Sequence, residues 1–259
     1  MTIDYDIEIL KKGKTTQNLF CLLGTDLFND LANNIQLDVN IYGIYVHEYI
    51  DKKWTTVETV NINSKKFLDD YVDKYTEIIK GIQQKGPFNI CGYSFGGYIA
   101  MEVAKRLTNY GENIGLTAMF DTMYRHSNLQ LNLIRKIRAH IEMTKRYGYR
   151  YLFKKISNKL INKKIPLHSD DAHNSNINIY RMLARRKIES DYIPSYNGPV
   201  HLFRATIRDP FNPTSYMNGL GWDDHITNLF VHNVPGDHST MLKTPNVNTI
   251  TSTLEKLLI

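Results

Sequence analysis

An α/β fold, a mostly parallel sheet flanked by helices on both faces, is what the sequence predicts, and three observations predict it. Short apolar runs suited to buried strands recur at residues 18–23, 41–46, 88–92, 114–120, 200–205 and 229–234. Amphipathic helical segments lie between several of them, and strands that alternate with helices pair in parallel with both faces covered. A serine between glycines stands at one junction of strand and helix.

After the strands at 18–23 and 41–46, the clearest helix spans 65–85. Ser64 serves as its N-cap, Phe67, Leu68, Tyr71, Val72, Tyr75, Ile78, Ile79 and Ile82 share one face, and Gly86-Pro87 is the stop. The strand at 88–92 leads into a second helix, from about Gly97 to Tyr110, that ends at Gly111. Beyond the strand at 114–120 the rhythm breaks. From Tyr124 to Asn197 the pattern is helical without a convincing strand, with Leu133, Ile134, Ile137, Ile141, Tyr147, Tyr151, Ile156 and Leu160 at helical spacing and a polar, loop-like tract at 167–178. This segment reads as an insertion. The last helix is expected to start at Thr244-Pro245, a capping residue followed by proline at the first helical position, and to reach Leu258. With no internal repeat and no linker, residues 1–259 are expected to form a single domain carrying the insertion at about 124–197.

Composition excludes several classes. A chain of 259 residues that is 42% hydrophobic and 22% charged can bury a substantial core and fits neither disorder nor a fibrous repeat. Its two cysteines, Cys21 and Cys91, lie in apolar runs and read as buried free thiols of a reducing compartment, so a cytoplasmic location is expected. The apolar stretch from Leu19 to Leu23 falls far short of the ~20 residues of a membrane-spanning helix, and the amino terminus carries no signal pattern. The formal charge of +6 is unevenly spread. Residues 124–197 hold 16 Lys and Arg against 5 acids, a net of +11, which leaves −5 for the remainder. No recognised nucleic-acid motif accompanies the basic segment, so that class of partner is not expected. His168 and His173 beside Asp170-Asp171 match no standard metal-ligand spacing and read as a polar loop; no metal is expected.

The chemistry concentrates in Gly92-Tyr93-Ser94-Phe95-Gly96, placed after a strand and before a helix. That context is the nucleophile elbow, in which a sharp turn lifts a serine hydroxyl above the sheet edge and the helix amino terminus faces developing negative charge. Phe95 N–H is then an oxyanion donor. Serine needs a base, and among nine histidines His238 stands out in Pro235-Gly236-Asp237-His238, after the last strand and before the last helix. His201 and His232 fall within strands and His140 on a polar helical face. The third member should be a carboxylate that orients the imidazole. Asp121, at the end of the 114–120 strand, and Asp209, in the loop after the 200–205 strand, fit equally well by position. Asp237 is too near His238 in sequence to orient it.

Taken together, these features resemble the thioesterase domain of polyketide and nonribosomal peptide synthetases and of animal fatty acid synthase. Gly92 to Gly97 is similar to that family's serine motif, Phe120-Asp121-Thr122 to its acid motif and Gly236-Asp237-His238 to its histidine motif. Tyr192-Ile193-Pro194, Tyr196 to Val200, Leu202 to Ala205 and Gly221-Trp222 resemble the stretch after its lid. The resemblance implies an α/β-hydrolase fold with a helical lid inserted after the strand ending at Asp121, and it favours Asp121 over Asp209 as the acid. The first loop departs from the family's pattern: Leu22-Leu23-Gly24-Thr25 stands where His-Pro and a glycine pair are usual, and alignment on Gly24 makes Leu22 the second oxyanion donor.

The activity implied is release of acyl or peptidyl chains from the phosphopantetheine of a carrier protein, by hydrolysis or cyclisation through an acyl-serine. No cofactor is required. An acyl- or peptidyl-carrier protein is the implied partner, with Arg185, Arg186 and Lys187 as candidate docking residues in the basic lid. Rival readings are an editing enzyme that clears stalled acyl groups, a carboxylesterase for small oxoesters and a non-catalytic binding homologue; the set Ser94, Asp121 and His238 argues against the last. Met1 lies so close to the first strand that no carrier domain is expected before it, as in a stand-alone protein or an excised domain.

Overall fold

The structure, a computed structural model, describes residues 4–47, 63–124, 133–148 and 184–258. Its strands are β1 (Tyr5–Lys11), β2 (Asn18–Leu22), β3 (Asn40–Val46), β4 (Phe88–Tyr93), β5 (Ile114–Phe120), β6 (Val200–Ala205) and β7 (Leu229–Val234). They form one seven-stranded sheet in the order β1-β3-β2-β4-β5-β6-β7. Every pairing is parallel except β1 with β3.

Helices cover both faces because the strands alternate. Phe20 and Leu22 of β2 pack with α2 (Ser64–Ile82) and α3 (Phe95–Asn109), through Leu68, Tyr75, Ile79, Ile99 and Val103. Leu19 and Cys21 point the other way, to α1 (Asn29–Asn34) and the last helix, α6 (Val247–Leu257), where Leu31, Ile250 and Leu254 close the second core. A strand buried on both sides reads as a near-continuous apolar run, and all five residues of β2 are buried, the four after Asn18 apolar. Cys21 and Cys91 are register partners on β2 and β4, free and buried, with Sγ atoms 3.3 Å apart. Among the described residues, α4 (Leu133–Tyr147) and α5 (184–191) belong to the segment between β5 and β6. Since β5 and β6 are adjacent and parallel, that segment leaves the sheet at its carboxyl-terminal edge, after β5, and returns to the opposite edge to enter β6. Positions 151, 156 and 160, the 167–178 tract and its two histidines lie outside the described residues.

Several boundaries differ from the sequence reading. β1 was not anticipated, because Tyr5, Ile7 and Ile9 alternate with charged residues and offer no continuous apolar run; they are exposed on an edge strand. The short α1 also lacked a periodic signature. Asn63, not Ser64, caps α2: its Oδ1 accepts from Lys66 N at 3.0 Å, while Ser64 Oγ donates to Asp191 at 2.6 Å. α3 begins at Phe95, two residues before Gly97. α6 begins at Val247 after Asn246, because Thr244 N is held by Asp30 Oδ2 at 2.8 Å and the preceding residues form turns.

Candidate active site

Gly92-Tyr93-Ser94-Phe95-Gly96 forms the turn from β4 into α3. Ser94 adopts φ 55° and ψ −120°, a conformation that L residues occupy only when their surroundings hold them there. What holds it is a set of bonds across the sheet edge. Ser94 N donates to Phe120 O at 2.9 Å, and the Ser94 carbonyl accepts from Thr122 Oγ1 at 2.9 Å and Gly97 N at 3.1 Å. The turn is so tight that side chains would collide: a Cβ on Gly92 would lie 2.0 Å from Gly96 O, and one on Gly97 2.0 Å from Thr122 Oγ1. Phe95 N–H is among the first donors of a 15-residue helix, which have no partner within the helix and sit at its positive end.

One strand over, Asp121 leaves β5 with φ 46°, its N–H donating to Phe203 O at 2.7 Å. Its buried carboxylate is divided between two partners. Oδ1 accepts from Ala205 N at 3.0 Å, and Oδ2 lies 2.8 Å from His238 Nδ1. His238 arrives from the turn after β7, 117 residues later in the chain. Asp237 builds that turn, its Oδ1 accepting from Ser239 N and Thr240 N at 3.0 Å each. The imidazole stacks on the Tyr93 ring at 4.6 Å, and the Tyr93 hydroxyl donates to the His238 carbonyl. Burial, and then the negative charges of Asp121 and Asp237, push the Tyr93 hydroxyl well above its ordinary value, so it stays a neutral donor.

Ser94, Asp121 and His238 line one cavity of about 340 Å³, with Met123, Met143 and Arg208 among its other walls. Asp209 also lines it but does not reach the imidazole; its Oδ1 accepts from Phe211 N at 2.9 Å within its own loop. The structure therefore brings Asp121, not Asp209, to His238. Leu22 is the final residue of β2, in register with Ile44 on one side and Gly92 on the other. A strand residue paired on both sides has its backbone committed to the ladders, so the loop from which a second donor was expected begins one residue later, at Leu23, where φ turns to 63°. Arg185 of α5 lies over the Phe95 ring at 5.5 Å, Lys187 Nζ is bonded to Asp191 at 2.8 Å and Arg186 is exposed. Among the described residues no three His, Cys, Asp or Glu side chains assemble as metal ligands would, and no helix is long and apolar enough to cross a membrane.

Three contributors escaped the sequence reading. Tyr93 sits at a variable position of the serine motif, and only the fold shows that its ring carries the histidine. Thr122 belongs to the acid motif, which carries no local sign that its hydroxyl holds the Ser94 carbonyl. Arg208, buried beside Asp121 with Nη1 3.7 Å from Oδ1, is one basic residue in a polar loop and has no local signal. Burial and the neighbouring Arg204 lower its guanidinium to about 10, opposed by Asp121, so it remains charged at neutral pH.

The family model for the thioesterase domain matches residues 24–258. Malpinin synthetase of Mortierella alpina is 34% identical over 123 residues, covering 46% of this chain and 2% of the synthetase. Vanchrobactin synthetase VabF of Vibrio anguillarum is 24% identical over 194 residues, covering 74% and 6%. The chain thus spans only a few per cent of such relatives. Among solved structures, the NocB thioesterase domain superposes with a TM-score of 0.62 at 17% identity, covering 98% of this chain and 99% of that one. The four-domain nonribosomal peptide synthetase AB3403 superposes with 0.64 at 18% identity, covering 97% and 20%. At such identities the superpositions speak for the α/β-hydrolase fold. The family rests on the match over residues 24–258: this chain belongs to the thioesterase domain family, whose members are hydrolases acting on thioesters.

Proposed function

We propose that the protein is a serine thioesterase that releases an acyl or peptidyl chain from the phosphopantetheine of a carrier protein in nonribosomal peptide or polyketide synthesis. The observation that carries the reading is the bond of His238 Nδ1 to Asp121 Oδ2 beside the strained Ser94 turn, in one cavity. Asp121 fixes the imidazole with its proton on Nδ1, which leaves Nε2 to take the Ser94 hydroxyl proton as Oγ attacks the thioester carbonyl. Negative charge on the carbonyl oxygen is received by Phe95 N–H at the positive end of α3. Collapse of the adduct expels the thiolate, which takes up the proton from His238, and an acyl-serine remains. Water, or a hydroxyl or amine of the chain itself, then gives a proton to His238 and attacks the ester, freeing Ser94 and a linear or cyclic product. The protein's own groups suffice for this sequence, with no cofactor.

The carrier is proposed to approach beside α5, since Arg185 lies over Phe95, next to Ser94, with Arg186 exposed on the same helix. A cytoplasmic setting belongs to the same reading, supported by the free thiols of Cys21 and Cys91.

The test is to offer acyl-loaded carrier protein, acyl-coenzyme A and a p-nitrophenyl ester, and to read intact mass. An acyl adduct that disappears in Ser94→Ala, with a rate loss on the order of 10⁶-fold, is expected. No adduct and no turnover with any donor would overturn the proposal, and turnover confined to the p-nitrophenyl ester would make the protein an esterase.

A further inference from the structure

Two guanidinium groups line the active-site cavity, and only one of them is held by hydrogen bonds. Arg146 Nη2 is bonded to Glu142 at 2.5 Å, and its Nη1 donates to the Arg208 carbonyl at 2.8 Å. Arg208 is different. The residue is 91% buried, and among the described residues its guanidinium makes no hydrogen bond, its nearest carboxylate oxygen being Asp121 Oδ1 at 3.7 Å. That oxygen already accepts from Ala205 N, and the other holds His238. Its guanidinium lines the cavity with N–H groups that no acceptor among the described residues takes, and these are free to bond an anion placed there.

The position is also built. Thr206 N donates to Val234 O and Ile207 N to Gly236 O, both at 2.8 Å, so the chain entering Arg208 is fastened to the end of β7. On the other side the Asp209 carbonyl accepts from Ser215 Oγ at 2.8 Å and Asn212 N at 3.1 Å. Among the described residues four acids line the cavity wall, and Glu189 of α5 has a partner of its own; of the others, Asp209 and Asp237 accept from backbone N–H groups of their own turns, and Asp121 is divided as above. None of these three forms a hydrogen bond with the Arg208 fork. Met123, Met143 and Leu220 supply apolar wall for an aliphatic stem.

We propose that Arg208 is the anchor for a carboxylate on the acyl group, so that the preferred substrates are thioesters whose chain ends or branches in a carboxylic acid. The inference rests on the thioesterase reading and gives its acyl group a chemical class. A cavity of about 340 Å³ holds roughly eleven water-sized groups, enough for a short dicarboxylic half-thioester or an acidic aminoacyl unit. Arginine suits the task because its planar fork matches a carboxylate with two parallel hydrogen bonds.

The experiment compares succinyl, glutaryl and adipyl thioesters of N-acetylcysteamine with their ω-carboxamide counterparts, which keep the shape and lose the charge. For at least one chain length the wild type is expected to favour the carboxylate ~10- to 100-fold in kcat/KM. Arg208→Gln should bring that ratio to about one, and Arg208→Lys, which keeps the charge without the fork, should fall between. Binding is read separately by titrating the same compounds into Ser94→Ala, with and without Arg208→Gln, so that turnover plays no part. No preference for carboxylate at any length overturns the proposal, as does an equal loss on both substrates that leaves their ratio unchanged, which would make Arg208 a support for Asp121 alone. Preferential carboxylate binding that depends on Arg208, in a protein that turns over no thioester, would leave the anion site standing and remove the thioesterase reading.

Discussion

Tyr93 and His238 meet as a unit, rings 4.6 Å apart and 26° from parallel, with the Tyr93 hydroxyl bonded to the His238 carbonyl. One residue ends the strand before the Ser94 turn and the other lies in the turn after β7, so the contact ties together the two loops that carry Ser94 and His238. Tyr93→Phe keeps the stack and loses the bond. The expected cost is about 1 kcal/mol of stability, measured by urea denaturation, with a fall of a few-fold in kcat. Tyr93→Ala removes the platform itself, and kcat/KM on a thioester should drop by ~10- to 100-fold as the imidazole loses its position.

The two aspartates that sequence position leaves level should separate cleanly. Asp121→Asn keeps the shape but can donate toward His238 Nδ1, which stabilises the wrong tautomer, so a rate loss on the order of 10⁴-fold is expected. Asp209→Asn should cost less than about tenfold, because Asp209 caps its own loop. Steady-state thioester hydrolysis measures both, and a crippled Asp209→Asn with an active Asp121→Asn would reverse the assignment.

Glycine-to-alanine changes should have opposite signs at two helical sites. In Gly97→Ala the new Cβ meets Thr122 Oγ1, which cannot swing away without releasing the Ser94 carbonyl; a loss of about 1–3 kcal/mol is expected, with reduced activity. At Gly81 of α2 a Cβ would meet nothing within 4 Å, so Gly81→Ala should stabilise by about 0.5–1 kcal/mol. Paired denaturation curves decide.

His201 and His232 predict a pH dependence away from the active site. His201 Nδ1 lies 3.0 Å from His232 Nε2 on β6 and β7, and burial together with His232 holds His201 down at about 4. His232 is lowered too, by burial. A histidine depressed in the folded state binds its proton more readily when unfolded. Its contribution is therefore complete above the ordinary value near 6.5 and is lost as pH falls from there toward 4. The midpoint of thermal unfolding should drop between pH 7 and 4.5, and His201→Asn should flatten that drop. An unchanged slope in the variant would place the acid sensitivity elsewhere.

Much of this protein was legible before folding. Buried strands read as near-continuous apolar runs, amphipathic helices repeat at their own period, and the nucleophile turn needs its glycines in fixed places, so β2 to β7, α2, α3 and the position of Ser94 could be read from residues alone. Such signals are local. β1 was hidden because an exposed edge strand offers alternation without an apolar run, and the cap of α2 passed from Ser64 to Asn63 because Asp191, far along the chain, takes the Ser64 hydroxyl.

What local chemistry could not decide was which distant residues would meet. Ser94, Asp121, Arg208 and His238 follow β4, β5, β6 and β7, four neighbours in one sheet, and it is the strand order and parallel register that carry them to a common edge. The choice of Asp121 over Asp209 was made there, by an ordinary hydrogen bond across 117 residues. The burial of Arg208 beside that carboxylate was made there as well. The sequence by itself determined the fold class and the nucleophile turn, because backbone sterics and hydrophobic periodicity act over a few residues. The pairing of Asp121 with His238, the Tyr93 ring under that histidine and the burial of Arg208 were decided by tertiary packing, because each depends on contacts between loops that only the assembled sheet brings together.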